Sequence, residues 1–194
     1  IGCGLGTDTM QFAKGGAIVT AVDYSSTSIN LARKRAEQLG LNINFVHVNA
    51  EELSHSLPVE SYDLIYSFGV LHHTPNPERA YREVAKYMNR NSVFKLMVYH
   101  SRSLKVLGVM LRHGPFNWRK KVAYYSEAKE GSPITYTYTK KEITKLLDSC
   151  GLKVDSIEVH YLWMRWYLKW LPKPVLMWVD RNFGWNLCVT ASLK

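Results

Sequence analysis

The chain has 194 residues, of which 46% are hydrophobic and 21% are charged. This composition is typical of a globular protein with a buried core and excludes a disordered tail or a fibrous repeat. The formal net charge of +9 lies wholly in the second half, because residues 1–100 contain nine Lys/Arg and nine Asp/Glu, whereas residues 101–194 contain sixteen and seven. This asymmetry argues against a uniformly basic DNA-coating protein and favours an anionic substrate or a membrane surface.

Strand-like and helix-like segments alternate along the first half. Apolar runs predict strands at 17–23, 43–48, 62–68 and 93–99, and periodic segments with capping residues predict helices at 25–39 and 77–88. Continuous apolar strands separated by helices favour a parallel sheet that is covered on both faces.

The second half is less regular. We expect an amphipathic helix at 104–112, a Tyr-rich polar stretch up to residue 138, and a helix at 140–149 that Thr139 caps. A strand at 152–161, two short helical pieces separated at Pro172 and Pro174, and a last strand at 186–193 follow.

The three cysteines show no CxxC pairing, which argues against a disulfide framework or a zinc knuckle and fits a reducing compartment. No apolar run approaches the roughly 18 residues of a membrane span. We therefore expect a cytoplasmic protein, with peripheral membrane contact left open.

The chain opens with IGCGLGTDT, which places glycines at positions 2, 4 and 6, and Asp23 closes the next predicted strand. Glycines are needed where the backbone turns sharply and a ligand approaches it closely. A carboxylate at the end of the neighbouring strand can accept hydrogen bonds from both hydroxyls of a ribose. Together these residues indicate a nucleoside-bearing ligand at the carboxyl edge of a parallel sheet.

The glycine spacing separates two classes of ligand. The dinucleotide fingerprint GxGxxG would place its third glycine at position 7, which is Thr7 here. The spacing GxGxG followed by Asp8 instead resembles motif I of the class I S-adenosylmethionine-dependent methyltransferases. Because that donor carries a sulfonium and no phosphate, a carboxylate near the loop is tolerated.

The resemblance continues through VDYSSTSINLARKRA, VNAEELSHSLP and YDLIYSFGVLHHTPNPERAYREVAKYMN, and it is closest to the type 11 (UbiE-like) branch, which methylates small molecules. It implies an α/β fold, Rossmann-like, with a mostly parallel seven-stranded sheet whose last strand is antiparallel. Only Ile1 of the family's first strand is present, so we expect the first strand to be largely missing from this chain. We expect the chain to be a fragment of a longer protein or the product of a truncated open reading frame.

The resemblance also implies the residues of the S-adenosyl-L-methionine site. Asp23 would hold the ribose, and Asn49 stands where the family usually has an aspartate beside the adenine. The residues expected to contact the cofactor are Gly2, Cys3, Gly4, Gly6, Asp23, Tyr24, Asn49, Ala50, Glu51, Phe68 and Gly69.

The adjacent His72 and His73, at the end of the predicted strand 62–68, are the candidate catalytic residues. An oxygen or activated-carbon acceptor needs a base, and histidine titrates near neutral pH. The alternative for each is a capping or packing role. Two adjacent histidines without a third ligand do not indicate a metal, so we expect no metal site.

We divide the chain into an S-adenosylmethionine-binding half at 1–100, an insert at 101–138 that would roof the acceptor, and a C-terminal part at 139–194. That last part contains a Trp-rich insert at 163–184, in which residues 163, 166, 167 and 170 fall on one helical face. Such a face can pack on the sheet, close over an acceptor or lie in a lipid interface. RNA stacking is less favoured, and we expect no nucleic-acid partner.

The sequence thus predicts methyl transfer to the oxygen or carbon of a small, apolar or lipid-like acceptor. Two alternatives remain open: a catalytically degenerate module that binds a membrane or a protein, and a nicotinamide-dependent oxidoreductase, which Thr7 disfavours.

Overall fold

The strands of the computed structural model form two hydrogen-bonded groups. In chain order the strands are β1 (Thr20–Asp23), β2 (Asn44–His47), β3 (Leu64–Phe68), β4 (Val93–His100), β5 (Thr137–Tyr138), β6 (Leu152–His160) and β7 (Asn186–Leu193). The structure describes residues 1–126, 134–162, 168 and 170–194.

Seven α-helices are seen among the described residues, and two 3₁₀ helices, Ala50–His55 and Leu71–His73, complete the elements. The α-helices are α1 (Thr7–Lys14), α2 (Ser26–Gln38), α3 (Pro77–Lys86), α4 (Leu104–His113), α5 (Trp118–Ser126), α6 (Lys140–Ser149) and α7 (Lys173–Phe183).

The pairing of the strands confirms the predicted architecture. β1 pairs with β2, and β3 with β4, in parallel. β7 runs antiparallel to both β4 and β6 and lies between them, so the order of the larger group is β3-β4-β7-β6. The two-residue β5 pairs in parallel with the end of β4. The sheet is therefore mostly parallel with an antiparallel last strand.

A cleft of about 730 Å³ separates β1 from β3. At one end of the cleft, the Ile1 amino group donates to the Tyr66 carbonyl oxygen at 2.7 Å and the Gly2 N–H donates to the Val22 carbonyl oxygen at 2.8 Å. Through these two backbone hydrogen bonds, Ile1 and Gly2 connect β1 of one group of strands to β3 of the other. The cleft lies at the position of the first strand of the family sheet. The sequence predicts that this strand is largely missing from the chain.

Local capping explains where three helices begin. The Ser25 hydroxyl accepts from the Ser28 N–H ahead of α2, and the Asn76 side chain accepts from the Arg79 N–H ahead of α3. Thr139 and Glu142 form a reciprocal capping box at the start of α6. These side chains satisfy backbone N–H groups that the first turn of a helix leaves unpaired.

Several boundaries differ from the sequence expectation by one to three residues, and one helix was not expected. β1 begins at Thr20 instead of residue 17, because its pairing with β2 starts at Asn44. α3 ends at Lys86, two residues earlier than expected. The stretch expected to be polar and irregular contains α5, whose Val122 is buried against Val106 of α4.

Candidate functional site

The glycine loop connects Ile1 to α1 through three left-handed backbone positions. Gly2, Gly4 and Gly6 have φ values of 72°, 51° and 79°, a region that costs other residues roughly 1–2 kcal/mol. Gly6 is the N-cap of α1, and its N–H donates to the Cys3 carbonyl oxygen at 2.8 Å. The loop therefore folds back on itself before the helix begins.

Gly2 and Gly4 differ in what surrounds them. A Cβ atom on Gly2 would lie 2.2 Å from a methyl carbon of Val70, so Gly2 is required for packing against the chain that follows β3. A Cβ atom on Gly4 would meet no atom within 4 Å. Gly4 thus presents bare backbone to open space, as the close approach of a ligand to this loop would require.

Asp23, the last residue of β1, joins this loop to α2. Its Oδ2 atom accepts from the Gly4 N–H at 2.8 Å, and its Oδ1 atom accepts from the Ser25 N–H at 2.8 Å. An ionised carboxylate has about four acceptor positions, so these two bonds leave capacity for ribose hydroxyls. The residue expected to hold the ribose also fixes the loop beside it.

The expected adenine-side residues are held by local contacts. Tyr24 is 76% exposed, and its carbonyl oxygen lies 2.8 Å from Nε2 of His47. The Asn49 side chain caps the 3₁₀ helix Ala50–His55 by accepting from the Glu51 N–H at 3.0 Å. Ala50 is buried, as is Glu51, whose carboxylate accepts from the Asn76 N–H at 2.6 Å. The Glu51 side chain thus connects this turn to α3.

Phe68 and Gly69 lie at the carboxyl end of β3, beside the glycine loop. Phe68 is 47% exposed and stacks on Tyr66, with ring centroids 6.1 Å apart. Gly69 has a φ of 76°, and its N–H donates to the Met97 carbonyl oxygen. The structure thus places the expected residues of β1 and β3 at the carboxyl ends of these strands.

The sequence did not predict that Tyr66 and Asp8 are paired near the glycine loop. The Tyr66 hydroxyl donates to Oδ2 of Asp8, in the first turn of α1, at 3.1 Å. Burial, followed by the negative charge of Asp8, raises the pKa of Tyr66 to about 12. Burial, followed by the charge of Asp23, raises the pKa of the Cys3 thiol to about 11. The raised pKa values keep the Tyr66 hydroxyl and the Cys3 thiol protonated at neutral pH.

The two candidate catalytic histidines have different environments. His72 is fully buried, and its ring centroid lies 4.1 Å from that of His73. Neither of its ring nitrogens has a hydrogen-bond partner among the residues that the structure describes. Burial, followed by the neighbouring His73, holds the pKa of His72 well below its usual value. A neutral, enclosed ring favours the packing role for His72.

His73 is partly exposed and is held by a segment distant in the sequence. Its Nδ1 atom lies 2.8 Å from the Ile134 carbonyl oxygen and 3.2 Å from the Thr135 hydroxyl oxygen. Because a carbonyl oxygen only accepts, we assign the proton of the neutral ring to Nδ1. That tautomer leaves Nε2 as the basic nitrogen. The sequence contains no local signal that pairs His73 with residues 134 and 135.

An aromatic stack adjoins these histidines. The Tyr99 ring meets the His72 ring edge-on at 4.2 Å and stacks on Trp185 at 4.3 Å. The Lys105 ammonium lies 4.4 Å from the centroid of the Trp185 ring. Trp185 is buried and fixes Tyr99, so β4, β7 and α4 meet beside the 3₁₀ helix Leu71–His73.

The aromatic residues of the second half have different environments. Tyr138 is buried in the core, whereas Tyr136 is 41% exposed and donates to the Pro75 carbonyl oxygen. Residues 163, 166 and 167 of the expected Trp-rich face lie outside the described residues; Trp170 is 77% exposed.

Within the described part of the chain, no group of three or more His, Cys, Asp and Glu side chains has the arrangement of a metal site. The described helices are all too short or too polar to cross a membrane.

Comparisons with known proteins bear on the first half of the chain. Residues 1–96 match a family model described as "Methyltransferase domain". Over 85 residues the chain is 39% identical to the ubiquinone biosynthesis O-methyltransferase of Coxiella burnetii, an alignment that covers 44% of this chain and 36% of that protein. The chain therefore spans about a third of the length of the curated relatives that it matches first.

Solved structures are similar over nearly the whole chain. An S-adenosylmethionine-dependent methyltransferase from Mesorhizobium loti aligns with a TM-score of 0.70 and 21% identity, covering 98% of this chain and 87% of that one. Magnesium protoporphyrin IX methyltransferase from Synechocystis PCC 6803, solved with bound SAH, aligns with a TM-score of 0.66 and 17% identity, covering 100% and 73%. At these identities the structures establish the fold.

Proposed function

The chain belongs, through residues 1–96, to the class I S-adenosylmethionine-dependent methyltransferases of the type 11 branch, and from this membership we propose that it methylates a small, apolar or lipid-like acceptor. The observation that carries the proposal is the open glycine loop beside Asp23. There the bare backbone of Gly4 and the spare acceptor capacity of Asp23 suit a nucleoside with free ribose hydroxyls.

The residues present fit the donor. Asp23 holds the ribose hydroxyls, and the glycine loop lies against the methionine part. Tyr24 and the turn that begins at Asn49 border the adenine, the latter through backbone groups, since the Glu51 side chain is committed to Asn76. When bound, S-adenosylmethionine supplies an electrophilic methyl group on a positively charged sulfur.

His73 is the proposed general base. Its Nδ1–H is held by the Ile134 carbonyl oxygen, so Nε2 could take the proton of the acceptor hydroxyl that is to be methylated. Exclusion of water and in-line alignment supply the rest of the rate enhancement. The ubiquinone biosynthesis O-methyltransferase relatives favour oxygen over carbon as the methylated atom.

The insert at 101–138 and the Trp-rich segment at 163–184 would cover the acceptor. Lys105 of α4 and Tyr99 of β4 already meet beside the histidines, which supports this arrangement. Apolar walls near a base suit an apolar aromatic acceptor.

Two other functions remain as outcomes of a test. A degenerate module that binds a membrane or a protein would no longer bind the donor. A nicotinamide-dependent oxidoreductase would bind NADH, but Asp8, in the first turn of α1, would repel a pyrophosphate at the helix N-terminus.

Calorimetric titration of S-adenosylhomocysteine into the full chain, with NADH as the control, separates the three. Micromolar binding of the first alone supports the proposal, and methyl transfer to quinones, phenols and lipids is then screened. Binding of NADH alone supports the oxidoreductase. No binding of either by the folded protein leaves the interaction module.

A further inference from the structure

The α4–α5 hairpin (residues 104–126) displays apolar side chains that nothing in the described structure covers. Val106 of α4 and Val122 of α5 are buried together with Trp185, and this contact fixes the hairpin on the sheet. On the other face of α4, one turn apart, Leu107 is 47% exposed and Leu111 is 78% exposed. α4 is therefore apolar on two faces, and only one of them is buried.

The connection between α4 and α5 adds another exposed apolar side chain to the hairpin. Phe116 is 85% exposed. Lys121 donates from its Nζ atom to the carbonyl oxygens of His113 and Gly114, at the C-terminal end of α4. This contact fixes the connection so that Phe116 extends outward. Single exposed apolar residues are common on proteins, but several on one hairpin mark a binding surface.

The charge around this face is of one sign. Residues 101–126 contain six Lys/Arg and no Asp/Glu. Arg119 is paired with Glu142 of α6 at 2.7 Å, whereas Arg112, next to Leu111 in the chain, and Lys120 of α5 are exposed. A second copy that docked through the same face would bring like charges together, which disfavours self-association.

We propose that the hairpin docks on an anionic phospholipid bilayer, with Leu107, Leu111 and Phe116 entering the interface and Arg112 and Lys120 contacting headgroups. Exposed apolar residues flanked by cations are the pattern that lies in a lipid interface. Each basic residue near an anionic surface strengthens binding about fivefold. The contact does not depend on the proposed methyl transfer, and its test uses no methyl donor.

The test is sedimentation of the full chain with vesicles of phosphatidylcholine containing about one-third phosphatidylglycerol. We expect the chain to bind these vesicles at least tenfold more tightly than pure phosphatidylcholine vesicles. The double variant Leu111→Ser/Phe116→Ser should bind at least tenfold more weakly. Ile18→Ser is the matched control, because Ile18 is fully exposed outside the hairpin, and it should bind as the parent does.

The charge contribution is tested with Arg112→Gln/Lys120→Gln, against Lys34→Gln/Arg90→Gln as exposed controls from the neutral half of the chain. The first pair should lower binding to the anionic vesicles at least tenfold, and the second pair should not. Thermal unfolding of each variant establishes that it is folded.

Three results would overturn the proposal. One is that the parent chain does not bind anionic vesicles. Another is that Leu111→Ser/Phe116→Ser and Ile18→Ser bind these vesicles equally. The third is a dimer, seen by light scattering, that Leu111→Ser/Phe116→Ser dissociates, because a second copy would then cover the face.

Discussion

At the scale of single residues, Gly2 and Gly4 provide a matched comparison. Gly2→Ala places a methyl group 2.2 Å from Val70, so we expect a loss of stability of about 3 kcal/mol or more. Gly4→Ala meets only backbone strain, about 1–2 kcal/mol. It should nevertheless reduce S-adenosylhomocysteine affinity at least tenfold, because the methyl group occupies the open space beside Gly4 that the proposed donor would fill. Urea denaturation and calorimetric titration measure the two effects.

Equal affinities of the parent and Gly4→Ala would remove Gly4 from the donor site. Asp23→Ala is less decisive, since Asp23 also holds the loop through Gly4 and Ser25. Its expected tenfold loss of donor affinity must be judged beside its thermal stability.

The role of His73 is tested with His73→Asn. The asparagine amide can replace Nδ1–H as the donor to the Ile134 carbonyl oxygen, but it has no basic nitrogen. We therefore expect kcat to fall about 10²–10⁴-fold while S-adenosylhomocysteine affinity is unchanged. Full activity of the folded variant would reduce His73 to a structural residue, and rescue at higher pH would support the loss of a base.

Residue-scale expectations from the sequence succeeded where the signal is local. The spacing of Gly2 and Gly4 and the position of Asp23 after an apolar run predicted a loop and a carboxylate at one strand edge, and the structure places them so. The partners of His73 are about 61 residues away in the chain, so no local pattern could have found them.

At the scale of elements, Glu51 links the 3₁₀ helix Ala50–His55 to α3. Its buried carboxylate satisfies the Asn76 N–H, whereas the adjacent Glu52 makes a surface pair with Arg79. We expect Glu51→Ala to lower the free energy of unfolding by about 1–3 kcal/mol and Glu52→Ala by less than about 1 kcal/mol. Chemical denaturation of both variants measures the difference.

Donor affinity supplies a second result for Glu51. If its side chain serves only the link to α3, the folded Glu51→Ala variant should bind S-adenosylhomocysteine as the parent does. A large loss of affinity without a loss of stability would instead support direct contact with the adenine.

Helix ends with strong caps were predictable, and helices that depend on packing were not. Thr139 with Glu142 marks the start of α6 in the sequence and in the structure. α5 lacks such a signal, and it forms where Val122 packs against Val106. Tertiary contact decides such weakly patterned segments.

At the scale of the whole molecule, buried His72 makes stability depend on pH. Its pKa in the folded chain lies well below 6.5, so below about pH 6.5 the unfolded chain binds more protons than the folded one. The free energy of unfolding should therefore fall as the pH is lowered from 7 to 5, by up to about 1.4 kcal/mol per pH unit for one group. His100, whose pKa is also lowered by burial, contributes in the same direction.

His72→Leu isolates this contribution. The variant removes a titrating group and two unpartnered buried nitrogens, so its loss of stability between pH 7 and 5 should be smaller than that of the parent. Urea denaturation at the two pH values is the measurement. An equal loss in both proteins would assign the acid sensitivity to other groups.

The overall architecture was the most predictable property, because six apolar strands and their helices follow from patterns of local periodicity. The continuity of the sheet was less predictable from the sequence. That Ile1 and Gly2 bridge the two groups of strands, with a cleft beside them, depends on which backbone edges meet in space.

The position of β7 has a consequence for biosynthesis. Phe94 of β4 pairs with Ala191 of β7, nearly a hundred residues later in the chain. At about 5–20 residues per second, a nascent β4 waits on the order of ten seconds for this neighbour. During that time its apolar edge is open to chaperones or to other nascent chains. Trp185 immediately precedes β7 and stacks on Tyr99, so this wall of the proposed acceptor site cannot form until residue 185 has been synthesised.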